Sequence, residues 1–346
     1  MELLTFESLP DRVADEDSLE ELLSRPTAGL VDDLARLDGD VMVLGVAGKV
    51  GPTLARMIRR AAPDKRVVGV ARFSDPALRE RLESWGIETI RCDLLEQDEV
   101  KALPELPNVV YMAGKKFGTE ADKPFSWVMN TYVPALVAER FCRSRIVAFS
   151  TLCVYPFASV MRGGCDETEP LGPPGDYANS CVGRERAFQY FSARHGTPGR
   201  LARLNYAIDL RYGVLFDIAS WVRNETPIDL STGQANVIWQ GDAAAQIVRC
   251  LLHCEVPSAP INIGAPKADS VRHVAEAFGR RFDRTPVFEG VEQPDCWVNR
   301  TDLAQRLFGH PVVPTCRMID WVADWIERGM PDYAKPTRYE VRSGQF

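Results

Sequence analysis

The segment VMVLGVAGKVGPTLARMI, residues 41–58, joins a short apolar run to a glycine-rich turn and the start of an amphipathic helix. VMVL (41–44) is typical of a buried strand, and PTLARMIRRAA (52–62) has apolar residues at helical spacing. The turn between them contains three glycines in a GxxGxxG spacing, Gly45, Gly48 and Gly51.

A strand, a glycine-rich turn and a helix in this order form a cradle for a dinucleotide. The first glycine permits a tight turn, the second lets the backbone approach a pyrophosphate, and the third lets helix and strand pack closely. The helix N-terminus offers free N–H groups and a partial positive charge to the phosphates. We therefore predict that the turn binds a dinucleotide cofactor through Gly45, Gly48, Lys49, Val50 and Gly51.

Further apolar runs of strand type follow at regular intervals, each separated from the next by a helical pattern. They are RVVGV (66–70), ETIRCDL (88–94), NVVYMAG (108–114), RIVAFS (145–150) and GRLARLNYA (199–207). This alternation predicts an α/β fold in which a doubly wound parallel sheet of Rossmann type is covered by helices on both faces.

The domain organisation follows from where this alternation begins and ends. Residues 39–208 form the predicted dinucleotide-binding domain, to which 236–252 are expected to return. Residues 209–335, where Pro and Gly punctuate short strands and helices, predict a smaller mixed α/β substrate lobe. Residues 1–38 have the pattern of a helical appendage with acidic faces, and 336–346 that of a polar tail.

Composition excludes several classes of protein. A net charge of −7 argues against general binding to nucleic acid or to membrane surfaces. The nine cysteines lack paired metal spacing and the four histidines form no HxxxH or HExxH pattern, so we expect no metal site. Unclustered cysteines favour reduced thiols in a cytoplasmic protein. We expect neither a signal peptide nor a membrane span, because no apolar run approaches about 18 residues.

The end of the second strand bears on the identity of the cofactor. NAD enzymes commonly place an acidic residue there, whereas this chain has Ala71 and Arg72. A guanidinium can bind the 2′-phosphate of NADP, and Lys49 could add charge, so the sequence favours NADP, with NAD still possible. The alternative is that Arg72 is a solvated surface residue. After the third strand, Asp93, followed by Leu94, is placed either to accept from the adenine amine or to cap the next helix.

Two later segments carry polar side chains of catalytic type. FSTLCVYP places Thr151 at the end of the fifth strand, and DYANSCVGRE (176–185) contains Tyr177 with Cys181 four residues later. Together with the glycine turn, these segments resemble the extended short-chain dehydrogenase/reductase family, of the NAD-dependent epimerase/dehydratase type. The resemblance covers residues 40–330, and YANSCVGRE is similar to the family signature YxxSKxxxE. NVIWQGDAA and PINIG (260–264) are also similar to family segments.

The resemblance implies a set of roles. Hydride transfer between a substrate carbon and a nicotinamide would use Tyr177 as acid/base and Thr151 to orient the substrate oxygen. AGKKFG and the helix after it resemble the segment beneath the nicotinamide, which implies cofactor contacts for Ala113, Gly114, Lys116 and Asn130. A homodimer through helices 126–143 and 177–194 is also implied.

Six residues fall on segments that border the substrate cleft in that family: Asn205, Arg211, Tyr212, Trp239, Gln240 and Asp242. For two of them a structural role is the alternative. Trp239 also fits a core position, and Asp242 also fits the cap of the helix DAAAQIVRCLL.

The departure from the family is Cys181, which stands where the signature has a lysine that lowers the pKa of the tyrosine. At an ordinary pKa of about 10, roughly one tyrosine in 10³ is ionised at neutral pH, so its use as a base costs about 4 kcal/mol. Use as an acid carries no such cost, so the change harms alcohol oxidation more than carbonyl reduction. The positive charge of Arg184, Lys115 or Lys116 could replace that of the missing lysine. Cys181 itself either takes part in the reaction or is a small apolar side chain that fills space in a packed helix.

The sequence therefore predicts an NAD(P)-dependent oxidoreductase or epimerase that acts on a sugar or sugar-derived substrate. Two alternatives stay open. One is a carbonyl reductase that acts on a non-sugar ketone. The other is a non-catalytic NADP-binding sensor, in which Tyr177 would be only a buried structural residue.

Overall fold

A computed structural model describes residues 2–116 and 118–345 of the chain. The strands are β1 (Val41–Leu44), β2 (Val67–Ala71), β3 (Glu88–Arg91), β4 (Asn108–Tyr111), β5 (Arg145–Thr151), β6 (Ala158–Ser159), β7 (Gly199–Leu204), β8 (Tyr206–Ile208), β9 (Ile228–Asp229), β10 (Gln234–Ala235), β11 (Val237–Trp239), β12 (Ala259–Ile263), β13 (Asp269–Ser270), β14 (Phe288–Glu289) and β15 (Asp295–Cys296).

The α-helices are α1 (Glu16–Leu23), α2 (Ala28–Arg36), α3 (Gly51–Ala61), α4 (Pro76–Ser84), α5 (Gln97–Ala102), α6 (Lys123–Trp127), α7 (Val133–Arg140), α8 (Asp176–His195), α9 (Val214–Arg223), α10 (Gln240–Arg249), α11 (Val271–Phe282), α12 (Asp302–Phe308) and α13 (Thr315–Glu327). A π-helical segment, Val128–Tyr132, joins α6 to α7. Short 3₁₀ turns cover Phe6–Ser8, Leu152–Val154, Val160–Arg162 and Cys250–Leu252.

Within the described residues, a parallel sheet of seven strands has the order β12-β7-β5-β4-β1-β2-β3. One apolar core, on one face of the sheet, includes side chains of α2, α3 and α10, and another includes side chains of α7 and α8. This architecture confirms the predicted doubly wound fold. The direction of winding reverses at β1, which lies between β4 and β2, so a crevice opens at the carboxyl ends of β1 and β4.

One strand lies in a different part of the fold from the one predicted. The sequence predicts PINIG (260–264) in the smaller lobe, but it forms β12 and pairs in parallel with β7 at the edge of the central sheet. Ile261, Asn262 and Ile263 are all fully buried. Burial of successive residues, which face opposite sides, is the pattern of a parallel strand covered on both faces.

The N-terminal residues are integral to the fold, in contrast to the predicted appendage. Leu19, Leu22 and Leu23 of α1 lie in the core of the smaller lobe, together with side chains of α9, α11 and α13. Leu30 and Leu34 of α2 pack in the core beneath the central sheet. Residues of α1 and α2 therefore contribute to the core of the smaller lobe and to one of the two cores beside the central sheet.

The C-terminal segment, residues 331–345, also packs against the body of the protein. Tyr339 is 1% exposed, and its ring makes an edge-to-face contact with that of Tyr206 on β8. Gly344 lies against Gly175, where a Cβ atom would overlap with the Gly344 carbonyl oxygen. Because Gly175 directly precedes α8, this segment reaches from the smaller lobe to the start of the helix that carries Tyr177.

Neither a membrane span nor a metal cluster is found in residues 2–116 and 118–345. No helix in these ranges is long and apolar enough to cross a bilayer. The same residues contain no group of three or more His, Cys, Asp or Glu side chains placed to hold a metal ion.

A buried ion pair fixes α8 against the sheet. Arg203 on β7 donates to both carboxylate oxygens of Glu185 on α8, at 2.9 and 2.7 Å. The Ser150 hydroxyl on β5 donates to the same carboxylate at 2.5 Å, and the third Arg203 nitrogen donates to the Tyr155 hydroxyl at 2.7 Å. Because Tyr177 lies on the same helix, this network sets the position of Tyr177 relative to the end of β5.

We predict that Glu185→Gln lowers the free energy of unfolding by about 3–5 kcal/mol, because Arg203 is left buried without a counter-charge. The measurement is urea unfolding followed by tryptophan fluorescence. Glu88→Gln is the control, since the pair of Glu88 with Arg66 is half-exposed and its loss should cost less than about 1 kcal/mol. Equal losses in the two variants would contradict this account of the fold.

Candidate active site

Two cavities lie at the carboxyl edge of the sheet. The first, of about 470 Å³, is called the glycine-loop cavity because the turn after β1 lines it. The second, of about 270 Å³, lies towards the smaller lobe and is called the tyrosine cavity because Tyr177 lines it. Met112 and Gly114, which follow β4, line both cavities, so the two are adjacent.

The predicted cofactor residues divide between these cavities. Those that line the glycine-loop cavity are Gly45, Gly48, Arg72, Asp93, Leu94, Ala113 and Gly114. Those that line the tyrosine cavity are Lys49, Val50, Lys116 and, again, Gly114. Gly51 and Asn130 line neither cavity and instead support the residues that do.

The glycines of the turn allow close backbone packing at the start of α3. Gly45 has a φ of +86°, and a Cβ atom there would lie 2.7 Å from the Ala113 nitrogen. At Gly51 a Cβ atom would overlap with the Val46 carbonyl, so only glycine lets α3 approach β1 this closely. The first turn of α3 has no side-chain cap at Val50, which leaves its N–H groups to an anion. These features fit the pyrophosphate of a dinucleotide.

A space beside the glycine-loop cavity is lined by two arginines. Arg72 follows β2 and Arg91 ends β3, and both line a space of about 370 Å³ that adjoins this cavity. The parallel register pairs Ala71 with Arg91, which brings the two arginines to the same edge of the sheet. Sequence reasoning missed Arg91, because only the pairing of β2 with β3 places it beside Arg72.

Asp93 lies in the cavity wall rather than at a helix cap. Its carboxylate accepts from the Leu95 N–H at 3.1 Å, and its own N–H donates to Glu99 at 2.7 Å. The next helix, α5, has Glu96 as its N-cap residue. The interpretation of Asp93 as the cap of that helix is therefore wrong, and the contact with an adenine stays a prediction.

Thr151 and Tyr177 meet in the tyrosine cavity. Thr151 is the last residue of β5 and Tyr177 the second residue of α8, and they are 8% and 9% exposed. The Thr151 hydroxyl oxygen accepts from the Cys153 N–H at 3.2 Å. Thr151 therefore ends its strand as a cap and also presents its side chain to the cavity.

The surroundings of Tyr177 keep it protonated. Burial raises its pKa well above the ordinary value, and the nearby Cys181 and Cys153 thiols add to this effect, while the Arg184 charge opposes it. Cys181 is fully buried, is in hydrogen-bonding contact with Tyr177, and has its own pKa raised by burial. Cys181 is thus a neutral thiol at ordinary pH, and it cannot supply the positive charge of the missing lysine.

Arg184 brings a positive charge to the same cavity from nearly two turns further along α8. Its guanidinium donates to the Asn130 side chain at 2.6 Å and to the Phe149 carbonyl at 3.0 Å. It packs directly on Gly114, where a Cβ atom would overlap with it. Arg184 is 6% exposed, and its Nε has no hydrogen-bond partner within the part of the chain that the structure describes.

Asn130 ties the turn after β4 to α8. Its amide donates to the Lys115 carbonyl and to the Ser180 hydroxyl, both at 2.9 Å, and its oxygen accepts from the Lys115 N–H at 3.0 Å. Asn130 lies in the π-helical segment, four residues before Pro134, which has no N–H to continue an α-helical pattern. This local widening of the helix occurs at the residue that supports Arg184.

Of the six residues predicted to border a substrate, two line the tyrosine cavity and four are buried elsewhere. Asn205 and Tyr212 line the tyrosine cavity. Arg211 does not, because it is buried in ion pairs with Asp209 and Glu20, both at 2.8 Å.

The other three lie in or beside α10. Trp239 is fully buried in the core of the smaller lobe, and Gln240 donates to Thr53 at 3.0 Å, which links α10 to α3. The Asp242 carboxylate accepts from the N–H groups of Val312 and Val313, and burial raises its pKa to about 6. Asp242 is the third residue of α10, so its assignment as the helix cap is wrong.

One cavity residue was missed because it comes from the C-terminal segment. Thr337 lines the tyrosine cavity, and its N–H and hydroxyl donate to the Asp217 carboxylate at 2.8 and 2.6 Å. Burial raises the pKa of Asp217 to about 6. No sequence motif marks this contact, which depends on the return of a distant part of the chain.

Residues 41–207 match the model of the NAD dependent epimerase/dehydratase family. These residues are therefore similar to a domain of this family. The match confirms the predicted resemblance and the enzyme class that the sequence indicated. No curated protein sequence gives a significant match to the chain.

Solved structures share the fold at low sequence identity. UDP-glucuronic acid 4-epimerase from Bacillus cereus, solved with UDP-glucuronic acid and NAD, has a TM-score of 0.68 at 17% identity over 84% of this chain and 99% of that one. UDP-glucose 4-epimerase from Thermus thermophilus, solved with NAD, has a TM-score of 0.67 at 17% identity over 83% and 99%. MoeE5, solved with UDP-glucose and NAD, has a TM-score of 0.65 at 21% identity over 84% and 99%.

We predict that restoring a lysine by Cys181→Lys lowers the free energy of unfolding by about 3–5 kcal/mol, because it buries a second cation beside Arg184. Removing the first cation in the double variant Cys181→Lys, Arg184→Ala should recover part of this loss. Urea unfolding of the single and double variants measures the coupling. Cys316→Lys is the control, since Cys316 is exposed and its change should have little effect. Strictly additive losses would show that Arg184 does not occupy the place of the missing charge.

Proposed function

We propose that this protein is an NAD(P)-dependent oxidoreductase or epimerase that acts on a sugar or sugar-derived substrate, with Tyr177 as the group that exchanges a proton with the substrate oxygen. The observation that supports this most directly is the adjacency of the two cavities. A dinucleotide held by the glycine turn would extend past Gly114 to the cavity that Thr151 and Tyr177 line.

The bound cofactor would supply hydride transfer, and the residues of the chain would hold it and manage the proton. The first-turn N–H groups of α3 would bind the pyrophosphate. Thr151 would hold the substrate oxygen by its hydroxyl, and Tyr177 would give that oxygen its proton. Thr151 and Tyr177 are both more than nine-tenths buried, so the proton transfer would be shielded from bulk water.

The electrostatics of Tyr177 favour carbonyl reduction over alcohol oxidation. Its raised pKa keeps the phenol protonated, as a proton donor must be, whereas oxidation needs the phenolate that burial disfavours. Arg184 is the cation that lowers the pKa of Tyr177, and it is the residue that we assign to the electrostatic role of the missing lysine. Its buried Nε has no hydrogen-bond partner among the described residues.

We further infer a preference for NADP. Arg72 and Arg91 line the space that adjoins the glycine-loop cavity, together with Asp93 and Glu99, and two guanidinium groups suit a 2′-phosphate. The three solved relatives described above were all determined with NAD. The preference for NADP therefore rests on the two arginines alone.

The other possibilities from the sequence have less support. A non-catalytic sensor would not need Thr151 and Tyr177 to meet in one cavity, as they do here. A non-sugar ketone as substrate is compatible with the same residues, and a substrate screen separates it from a sugar. The homodimer and the cytoplasmic location stay predictions.

We predict that the protein binds NADPH at least tenfold more tightly than NADH, and that Arg72→Gln weakens NADPH binding by about tenfold through loss of a charge-assisted hydrogen bond. Energy transfer from tryptophan to the reduced nicotinamide measures both affinities. NADH binding to the same variant is the internal control and should change less than about twofold. Tighter binding of NADH by the unmodified protein would contradict the assignment of NADP.

We predict that Tyr177→Phe lowers the rate of carbonyl reduction by about 10²- to 10⁴-fold and leaves cofactor affinity unchanged. Because its pKa is raised, Tyr177 stays protonated as pH increases, so the rate of reduction by the unmodified protein should not fall between about pH 6 and 9. NADPH oxidation with a panel of carbonyl compounds measures both effects. Undiminished turnover in the variant would rule out Tyr177 as the proton donor.

A further inference from the structure

Arg184 carries a buried positive charge that forms an ion pair with no carboxylate in residues 2–116 and 118–345. Its two hydrogen bonds go to neutral acceptors, the Asn130 side-chain oxygen at 2.6 Å and the Phe149 carbonyl at 3.0 Å. The side chain is 6% exposed. Buried charges in proteins are normally paired, because an isolated charge is costly in a poorly solvated space. An uncompensated guanidinium therefore exerts a strong field on the groups around it.

The carboxylate next to Arg184 in the chain, that of Glu185, is engaged by another cation. Arg203 donates to both of its oxygens, at 2.9 and 2.7 Å, and the Ser150 hydroxyl donates to one of them. The described residues that line the tyrosine cavity include no Asp or Glu either. The positive charge of Arg184 thus faces this cavity without an opposing charge in the described part of its wall.

Lys49 adds charge of the same sign from a different place. Although it belongs to the glycine turn, its amine donates to the Ala207 carbonyl at 3.3 Å and lies 4.0 Å from the centre of the Tyr212 ring, and both partners line the tyrosine cavity. Burial lowers the pKa of Lys49 to about 8, whereas a guanidinium stays charged throughout the ordinary pH range. Lys49 therefore reinforces the positive field, and Arg184 supplies the part of it that does not titrate.

The Arg184 guanidinium lies at the boundary between the two cavities. It packs on Gly114, where a Cβ atom would overlap with it, and Gly114 lines both cavities. A Cβ atom on Gly45 would lie 2.7 Å from the Ala113 nitrogen, so the glycine turn packs directly on the residue before Gly114. A dinucleotide held by this turn would pass Arg184 on its way to Tyr177, and its nicotinamide end would lie in the cavity that the charge faces.

The charge of a nicotinamide ring depends on its oxidation state. The oxidised ring is a cation and the reduced ring is neutral, whereas the phosphate and adenosine parts of the cofactor are the same in both forms. A cation fixed near the ring therefore repels only the oxidised form, and its attraction to the phosphates cancels when the two forms are compared. Two unit charges in a poorly solvated site change a binding equilibrium by roughly tenfold or more.

We propose that Arg184 makes this site select the reduced form of its nicotinamide cofactor over the oxidised form, an inference that rests on the proposed function and specifies how its cofactor exchanges. After carbonyl reduction the oxidised cofactor is the weakly held form, so it leaves and the cofactor acts as a dissociable co-substrate. An epimerase that works through a transient oxidation, in contrast, begins each cycle with the oxidised form bound. The same charge makes the bound reduced cofactor a weaker hydride donor, so its benefit lies in cofactor exchange.

The test is isothermal titration calorimetry of the cofactor-free, full-length protein with both redox forms of each cofactor, NADPH with NADP⁺ and NADH with NAD⁺. In whichever pair binds, we expect the reduced form to bind at least about tenfold more tightly. Arg184→Met should lower this ratio of affinities by roughly tenfold, and Arg184→Lys, which keeps the charge, should retain most of it. Because the ratio compares two ligands on the same protein, a smaller folded fraction in a variant does not change it.

Arg186→Met is the matched control. Arg186 lies two residues further along α8, is exposed, donates to Gln189 at 2.8 Å and lines neither cavity. Its replacement should leave the ratio unchanged. Equal affinities for the two redox forms in the unmodified protein overturn the proposal, as does a ratio that survives Arg184→Met. Oxidised cofactor that stays bound to the purified protein through gel filtration also overturns it, and would indicate an epimerase.

Failure of the proposed function gives a different result. In that case the unmodified protein binds none of the four cofactor forms. Failure of the redox selectivity alone leaves cofactor binding intact but independent of the charge at Arg184.

Discussion

The ion pair between Arg203 and Glu185 is the interaction on which the site depends. It is buried, and it joins three elements, because Ser150 of β5 donates to the same carboxylate. A helix surface can slide along a sheet with little change in apolar contact, whereas a two-pronged charged contact fixes both distance and orientation. Tyr177 and Arg184 lie on the helix so fixed, and Thr151 ends the strand against which it is held.

Compared with the family signature, α8 carries its positive charge at Arg184 and not at the position of Cys181. The family signature places its cation one turn after the tyrosine, whereas here a neutral thiol occupies that place and Arg184 supplies the charge almost a turn later. The cation is consequently held by Asn130 and packs on Gly114, at the boundary of the two cavities. Under the proposed function, a tyrosine that is less strongly assisted as a base would still act as an acid, and the site would favour carbonyl reduction over alcohol oxidation.

Local patterns in the sequence were sufficient to predict those elements of the fold that depend on interactions between neighbouring residues. The strand, turn and helix around Gly45 and the position of Thr151 at a strand end required only apolar periodicity and glycine spacing. The membership of Ile261 in the central sheet, the proximity of Arg91 to Arg72 and the direction of the Lys49 amine depend on contacts between distant segments. Periodicity contains no information about such contacts, and the role of Asp242 was misassigned for the same reason.

The participation of α1 in the smaller lobe has a consequence for how the chain is made. Apart from Leu4, Leu9 and Val13, the residues that share a core with Leu19, Leu22 and Leu23 begin only at Ile208, nearly two hundred positions later. At about 5–20 residues per second, a growing chain would leave these leucines without their partners for roughly ten seconds or more. For that interval the segment is an exposed apolar surface on an unfinished protein, the kind of surface on which molecular chaperones act.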